Sequence, residues 1–340
     1  MMRLLASMTN DVWLLEEGFL QRMCMVAERR IVRGERLSSE EIEAIRHEGP
    51  MLPVMEFRST VDCSIVARAN GTAAGGAGAN IPVVAVLNIT GILAQHSRQV
   101  QAVSGPGGTS TEQITNSLRA AVADPNVKGI VMNFDSPGGN VFGIEALSDE
   151  IYRARGSKPI VAQVNSTCAS AAYWLATQCD EIVVTPGGQV GSIGAYTIHQ
   201  DQSKKLENEG VKVTYISAGR HKVDGNSAEP LSSDAQDRLQ KMVDTYYGTF
   251  VSAVARGRGV KAQEVRDGYG QGGMEHAKNA IKLGMADKID TLDSTIRRVA
   301  SGRIVPGSRP VNGTAAPSAI AANVDDFRRR RHAHRMRMIS

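Results

Sequence analysis

Residues 128–176 read KGIVMNFDSPGGNVFGIEALSDEIYRARGSKPIVAQVNSTCASAAYWLA. Two apolar runs, Lys128 to Phe134 and Ile160 to Val164, each end in a turn of small or polar residues. Each turn leads into a helical pattern, Val141 to Arg155 and then Ala171 to Thr177. Short apolar runs without polar alternation fit strands buried on both faces. A strand, a helix and a second such strand make a parallel crossover unit. The alternation extends outward on both sides. Val83 to Ile89 predicts an earlier strand and Thr109 to Ala123 a helix, with Thr109 and Glu112 as a capping box. Ile182 to Val184 and Val211 to Ile216 predict later strands, with a polar helix over 202–209 between them. A long helix is expected from Ser232 to Gly257, with shorter ones to about Ala300. The fold class is therefore α/β: a mainly parallel sheet with flanking helices.

The flanks differ in kind. Val12, Leu15, Phe19, Met23 and Val26 recur at helical spacing, and Ser38 with Glu41 forms another capping box. Residues 1–69 thus read as a helical N-terminal appendage. Residues 70–80, which include GTAAGGAGAN, read as a flexible linker, and 81–300 as the main domain. From 301 to 340 Pro, Gly, Ala and Ser give way to a basic end, and disorder is expected. Net charge is +4, from 39 basic and 35 acidic residues. Removing the six arginines and two aspartates of 324–340 leaves 33 of each, so the excess lies in the tail between Arg328 and Arg337. Such a run is either a polyanion contact or a solvated terminus.

Several classes are excluded or disfavoured. No apolar run is long enough to span a membrane, and the N-terminus lacks a signal-peptide pattern. Cys24, Cys63, Cys168 and Cys179 have neither disulfide-framework nor zinc spacing, so a reducing compartment is expected and no metal or cofactor is called for. GPGGTS at 105–110 lacks the P-loop lysine, and no H-E-x-x-H or G-x-S-x-G motif is present.

Three turns at strand ends hold the candidate chemistry. Asp135-Ser136-Pro137-Gly138-Gly139-Asn140 could bring backbone N–H groups close to an anion, although many such turns only reverse the chain. Ser170, among Ala169, Ala171 and Ala172, has a helix N-cap as its ordinary role. The small neighbours are also what close approach of a substrate backbone requires. Lys222, in Gly219-Arg220-His221-Lys222, would ordinarily be a solvated charge. Buried, its amine would lose its proton more readily and could act as a base toward a serine. A Ser-His-Asp arrangement through His199 or His221 is also conceivable.

Taken together, FDSPGG (134–139), CASAAYWLA (168–176), GSIG (191–194), AGRHK (218–222), VARGRG (254–259) and GGMEHAKNAIKLGMADKID (272–290) resemble the signal peptide peptidase A family of serine peptidases. The resemblance covers about Val83 to Ala300. It implies a Clp protease/crotonase-like fold, with Ser170 as nucleophile, Lys222 as general base and Ser192 orienting the lysine amine. It implies an oxyanion hole from the N–H of Ala171 and of Gly138 or Gly139. Ala171 and Ala172 stand where the family commonly has glycines, which bears on pocket width. The short helical N-terminal segment and GPGGTSTEQI (105–114) look more like the head-maturation proteases of tailed bacteriophages than like a membrane-anchored cellular enzyme. That subtype implies a homo-oligomer acting on scaffold, portal and capsid proteins in the host cytoplasm or procapsid. The alternatives are a cellular cytoplasmic peptidase of signal peptides or protein fragments, a crotonase-type acyl-CoA enzyme, and an inactive assembly protein.

Overall fold

The computed structural model describes residues 13–15, 63–65, 83–96, 108–304 and 306. Apart from two short strands, the expected appendage lies outside them. So do the linker and the basic tail with Arg328 to Arg337.

The strands begin with β1 (Trp13–Leu15), β2 (Cys63–Ile65), β3 (Val83–Thr90), β4 (Leu93–Ala94) and β5 (Thr109–Ser110). Helix α1 (Thr111–Ala123), β6 (Val127–Ser136), β7 (Gly138–Asn140), α2 (Ile144–Ala154), β8 (Ile160–Ala169) and α3 (Ala171–Ala176) follow. Next come β9 (Glu181–Val184), β10 (Gln189–Gly191), α4 (Ser203–Asn208), α5 (Ser233–Arg258) and α6 (Ala262–Gly268). A 3-10 turn (Gly270–Gly272), β11 (Met274–His276), α7 (Ala277–Lys282), β12 (Lys288–Ile289) and α8 (Leu292–Ala300) complete the described chain.

The larger sheet runs β11-β10-β8-β6-β3-β2, with β9 also against β8 and β12 against β9. The pairings among β3, β6, β8, β9, β10 and β12 are parallel, whereas β2 and β11 are antiparallel to their neighbours. Strand β8 is central. Its first half, Val161 to Val164, pairs with β9, and its end, Thr167 to Ala169, pairs with β10. A smaller sheet, β1-β7-β4-β5, gathers around the glycine turn.

Alternate strand residues feed two cores. Ile130, Met132, Phe134, Ala162 and Val164 pack with Ile114, Leu118, Ile144, Leu147 and the buried side of α5. Val84, Val86, Val131, Val161 and Val183 turn the other way, onto Ile296 and Val299 of α8. Burial of both sheet faces explains why these strands are nearly all apolar in sequence.

Three local expectations are corrected. Helix α1 is capped by Ser110 with Gln113, not by Thr109 with Glu112. Thr109 instead bonds across to Thr90, its hydroxyl donating to Thr90 O at 2.8 Å and accepting its N–H at 3.0 Å. Trp13–Leu15, within the expected helical segment, is a strand antiparallel to Gly138–Asn140. The edge of β7 offers unpaired backbone groups, and pairing there overrides a weak helical pattern. Val211 to Ile216 is not a strand. It carries no ladder, and residues 211–220 are exposed throughout.

Candidate active site at the strand ends

The ends of β6, β8 and β10 lie side by side, and register alone brings the candidates together. Ser136 pairs with Cys168, and Gly191 pairs with Ala169. The glycine turn, Ser170 and Ser192 therefore follow three adjacent strand ends.

Ser170 occupies the N-cap position of α3, yet its side chain makes no capping bond. Its backbone is held at φ 53°, outside the usual range for a non-glycine residue. It is 1% exposed, and Oγ has no hydrogen-bond partner among the described residues. A buried hydroxyl without a partner costs free energy, and a strained backbone adds to that cost. The ordinary capping role is therefore not the one observed. Strain and a buried hydroxyl without a partner coincide at this residue.

The surroundings hold Ser170 firmly. Its N–H donates to Gly191 O at 2.8 Å, and its carbonyl accepts the Trp174 N–H at 2.9 Å. Helix α3 is buried along its whole length. Trp174 stacks on Phe250 with ring centres 4.8 Å apart, and its indole N–H donates to Ser148 Oγ at 2.9 Å. Tyr173 donates its hydroxyl to Met285 O at 2.8 Å, and burial pushes the phenol pKa up. The Ala171 N–H lies in the first turn of α3, where an N–H has no intrahelical acceptor. Burial also holds the Cys168 thiol well above its ordinary range, so the neighbouring cysteine is not a thiolate competing as nucleophile.

Ser192 also has positive φ, 56°, and its N–H donates to Gly273 O at 2.8 Å. Gly138 adopts φ 101°, which only glycine takes without strain. A Cβ on Gly139 would lie 1.9 Å from Leu93 O, so the turn packs directly on the β4 backbone. The Gly138 N–H donates to Ser136 Oγ at 3.1 Å.

Lys222 is different. It lies on an exposed turn after the strandless segment. No hydrogen bond joins it to Ser170 or Ser192 among the described residues. The turn is tied to the start of α5 by Arg238–Asp224 at 3.2 Å and Arg220–Asp234 at 3.3 Å, both largely exposed pairs of small energetic weight. Neither candidate histidine reaches Ser170 Oγ. His221 Nδ1 lies 2.9 Å from Asp224 Oδ2, and His199 Nε2 lies 2.9 Å from Asn226 O.

Asp135 and Ser136 open the first of the three turns and lie in FDSPGG, but the sequence reading gave neither a role. The Asp135 carboxylate accepts from the Ser166 hydroxyl and the Thr167 N–H. Ser136 Oγ donates to Gly91 O at 2.6 Å. Their available signal was two polar residues closing an otherwise apolar buried strand. Among the described residues no cluster of metal-ligating side chains exists, and no helix is long and apolar enough to cross a membrane.

Residues 153–305, which include Ser170, Ser192 and Lys222, match peptidase family S49. The chain is 33% identical over 254 residues to capsid assembly protease C of Escherichia phage lambda, covering 72% of this chain and 56% of that protein. It is 33% identical over 218 residues to head-tail preconnector protein GP5 of Enterobacteria phage P21, covering 64% and 43%. Protease 4 of Salmonella typhi matches at 29% over 196 residues, covering 57% and 31%. The chain thus spans about half the length of the two phage relatives. The mainly parallel sheet with helices on both faces fits the Clp protease/crotonase-like architecture that the sequence resemblance implied. With its serine on the central strand end and its matched segment running through the lysine-bearing arm, this chain carries a peptidase family S49 domain.

Proposed function

We propose that this chain is a serine endopeptidase that hydrolyses peptide bonds with a Ser170–Lys222 dyad. The observation that carries the reading is the buried, unpartnered Ser170 hydroxyl on a strained backbone beside Gly191 and Ser192. A neutral Lys222 amine takes the Ser170 proton as Oγ attacks a peptide carbonyl, and Ser192 orients that amine. The oxyanion is met by the Ala171 N–H and by the N–H of Gly138 or Gly139, each donor lowering the barrier by roughly 3 kcal/mol. The protonated lysine then donates to the leaving amine, and water resolves the acyl-enzyme.

An exposed lysine cannot do this work until it is brought to Ser170 and desolvated. Val211, Val213, Tyr215 and Ile216 on the same arm are 48%, 41%, 43% and 97% exposed, an apolar surface unusual for a free segment. We assign that surface to a second copy of the chain, so that the dyad closes in a homo-oligomer. The phage relatives named for capsid assembly and head-tail connection support scaffold, portal and capsid proteins as substrates.

The test is cleavage of those proteins by purified chain, with new termini mapped by mass spectrometry. Ser170→Ala and Lys222→Ala are each expected to abolish cleavage while leaving the fold intact. Turnover retained by Lys222→Ala removes the dyad. Mixing the two inactive variants restores a minority of sites if the lysine acts across copies. Mixtures that stay inactive place closure within one chain.

A further inference from the structure

Building on the peptidase reading, we propose that Asp135 is a positioning residue for the nucleophile. Its carboxylate holds the irregular segment of β8 from which Ser170 is projected, while Ser136 beside it holds the glycine turn. One dipeptide thereby fixes the spacing between nucleophile and oxyanion donors.

Phe134 pairs with Val164, yet Ser136 pairs with Cys168, so two steps along β6 face four along β8. The surplus, Asn165 to Thr167, is a bulge. It is also where β8 exchanges β9 for β10 as its partner. Bulges re-aim the strand that follows them, and here that strand ends at Ala169 and hands the chain to Ser170. Left to itself the surplus could settle in more than one way. Asp135 lies opposite it and accepts from both the Ser166 hydroxyl and the Thr167 N–H. Neighbouring side chains extend the lacing. Asn165 Nδ2 donates to Asn133 Oδ1 at 2.7 Å, and Asn133 Nδ2 donates to Asn88 Oδ1 at 2.8 Å.

The other side of the dipeptide grips the oxyanion turn. The Gly91 N–H donates to Asp135 O at 3.0 Å, and Ser136 Oγ donates to Gly91 O at 2.6 Å while accepting the Gly138 N–H at 3.1 Å. A largely buried carboxyl is costly to retain. Burial already raises the Asp135 pKa despite its hydrogen bonds. A group kept there against that cost, bonded to the strand that presents the nucleophile, fits a supporting role for the site.

The experiment measures hydrolysis of a fluorogenic casein substrate by wild type, Asp135→Ala, Asp135→Asn and Ser166→Ala, alongside thermal unfolding. Asp135→Ala is expected to lower kcat on the order of 10²-fold, the scale of a 1 Å misplacement. KM should stay within about twofold, because substrate binding is not what is lost. Asparagine keeps an oxygen for the Thr167 N–H, so Asp135→Asn should recover most of the loss. Equal kcat for Asp135→Ala and wild type overturns the role, as does a loss confined to KM. If Asp135→Ala does not fold, Ser166→Ala removes the hydroxyl alone and should still lower kcat; an unchanged value overturns the proposal. Wild-type turnover that survives Ser170→Ala instead overturns the peptidase reading, and the positioning role with it.

Discussion

The strand ends and the arm at 211–231 contrast in how they hold their reactive groups. At the strand ends, Ser170 is buried and bonded through backbone on both sides, and the helix behind it is locked by Trp174, Tyr173 and Phe250. On the arm, Lys222 is exposed, the surrounding apolar residues face solvent, and the ties to α5 are surface ion pairs. The first region has a completed interior in which the Ser170 and Thr167 hydroxyls are left without partners among the described residues. The second has apolar surface with no completed interior. For the proposed dyad, this contrast means that the single chain already holds Ser170 and the glycine turn in place, whereas Lys222 would need a further contact that excludes water.

The largest effect should come from disturbing the rigid side. Gly139→Ala places a Cβ 1.9 Å from Leu93 O, a backbone atom that cannot swing aside. Overpacking of this kind costs about 1–3 kcal/mol or more. The glycine turn must move, and with it β7 and its neighbours β1 and β4. Peptidase activity should fall below detection, with a clear drop in the urea midpoint. A variant with wild-type midpoint and turnover would mean that the turn is looser than the strand ends require.

The arm should respond in the opposite manner. Ile216 is 97% exposed, so Ile216→Asp should leave monomer stability within about 0.5 kcal/mol. Sedimentation should nevertheless show loss of the oligomer, and turnover should fall with it. Full assembly and activity in this variant would detach the apolar arm from closure of the dyad. Stability and activity thus separate on the arm and move together at the strand ends.

Sequence reading succeeded where an element's own residues were enough to identify it. The parallel core from Val83 to Val184 was legible because burial on both sides leaves continuous apolar runs, and glycine and proline punctuate their ends. It failed where pairing depends on a partner distant in sequence. Val211 to Ile216 has the composition of a strand, but no neighbour among the described residues supplies a ladder. Trp13–Leu15 fitted a helical spacing and was captured by the open edge of Gly138–Asn140. In the candidate site, Ser170 and Ser192 were picked out by short motifs, and register places them after adjacent strand ends. The contacts of Asp135 were not, because they are made across a register shift, which is a relation between two strands.

The smallest effect isolates the cost of that lacing. Burial raises the Asp135 pKa in the fold above its ordinary 3.8, and the hydrogen bonds from Ser166 and Thr167 offset this only in part. In the unfolded chain the carboxyl titrates near its ordinary value. As pH rises between the two values, the unfolded state releases its proton while the folded state still holds one. The unfolded state is then favoured by proton release, so this group makes folding stability fall with rising pH, by at most about 1.4 kcal/mol per pH unit for a single proton. Asp135→Asn has no proton to release. Its stability relative to wild type should therefore improve as pH rises above the ordinary carboxyl value, then level off once Asp135 has ionised in the fold. Urea midpoints of the two proteins, measured in parallel from about pH 4 to pH 7, read this difference directly and cancel the other carboxyl groups. A relative stability that worsens with rising pH would mean that the hydrogen bonds outweigh burial, so that the strand ends stabilise the anion at no net cost to the fold.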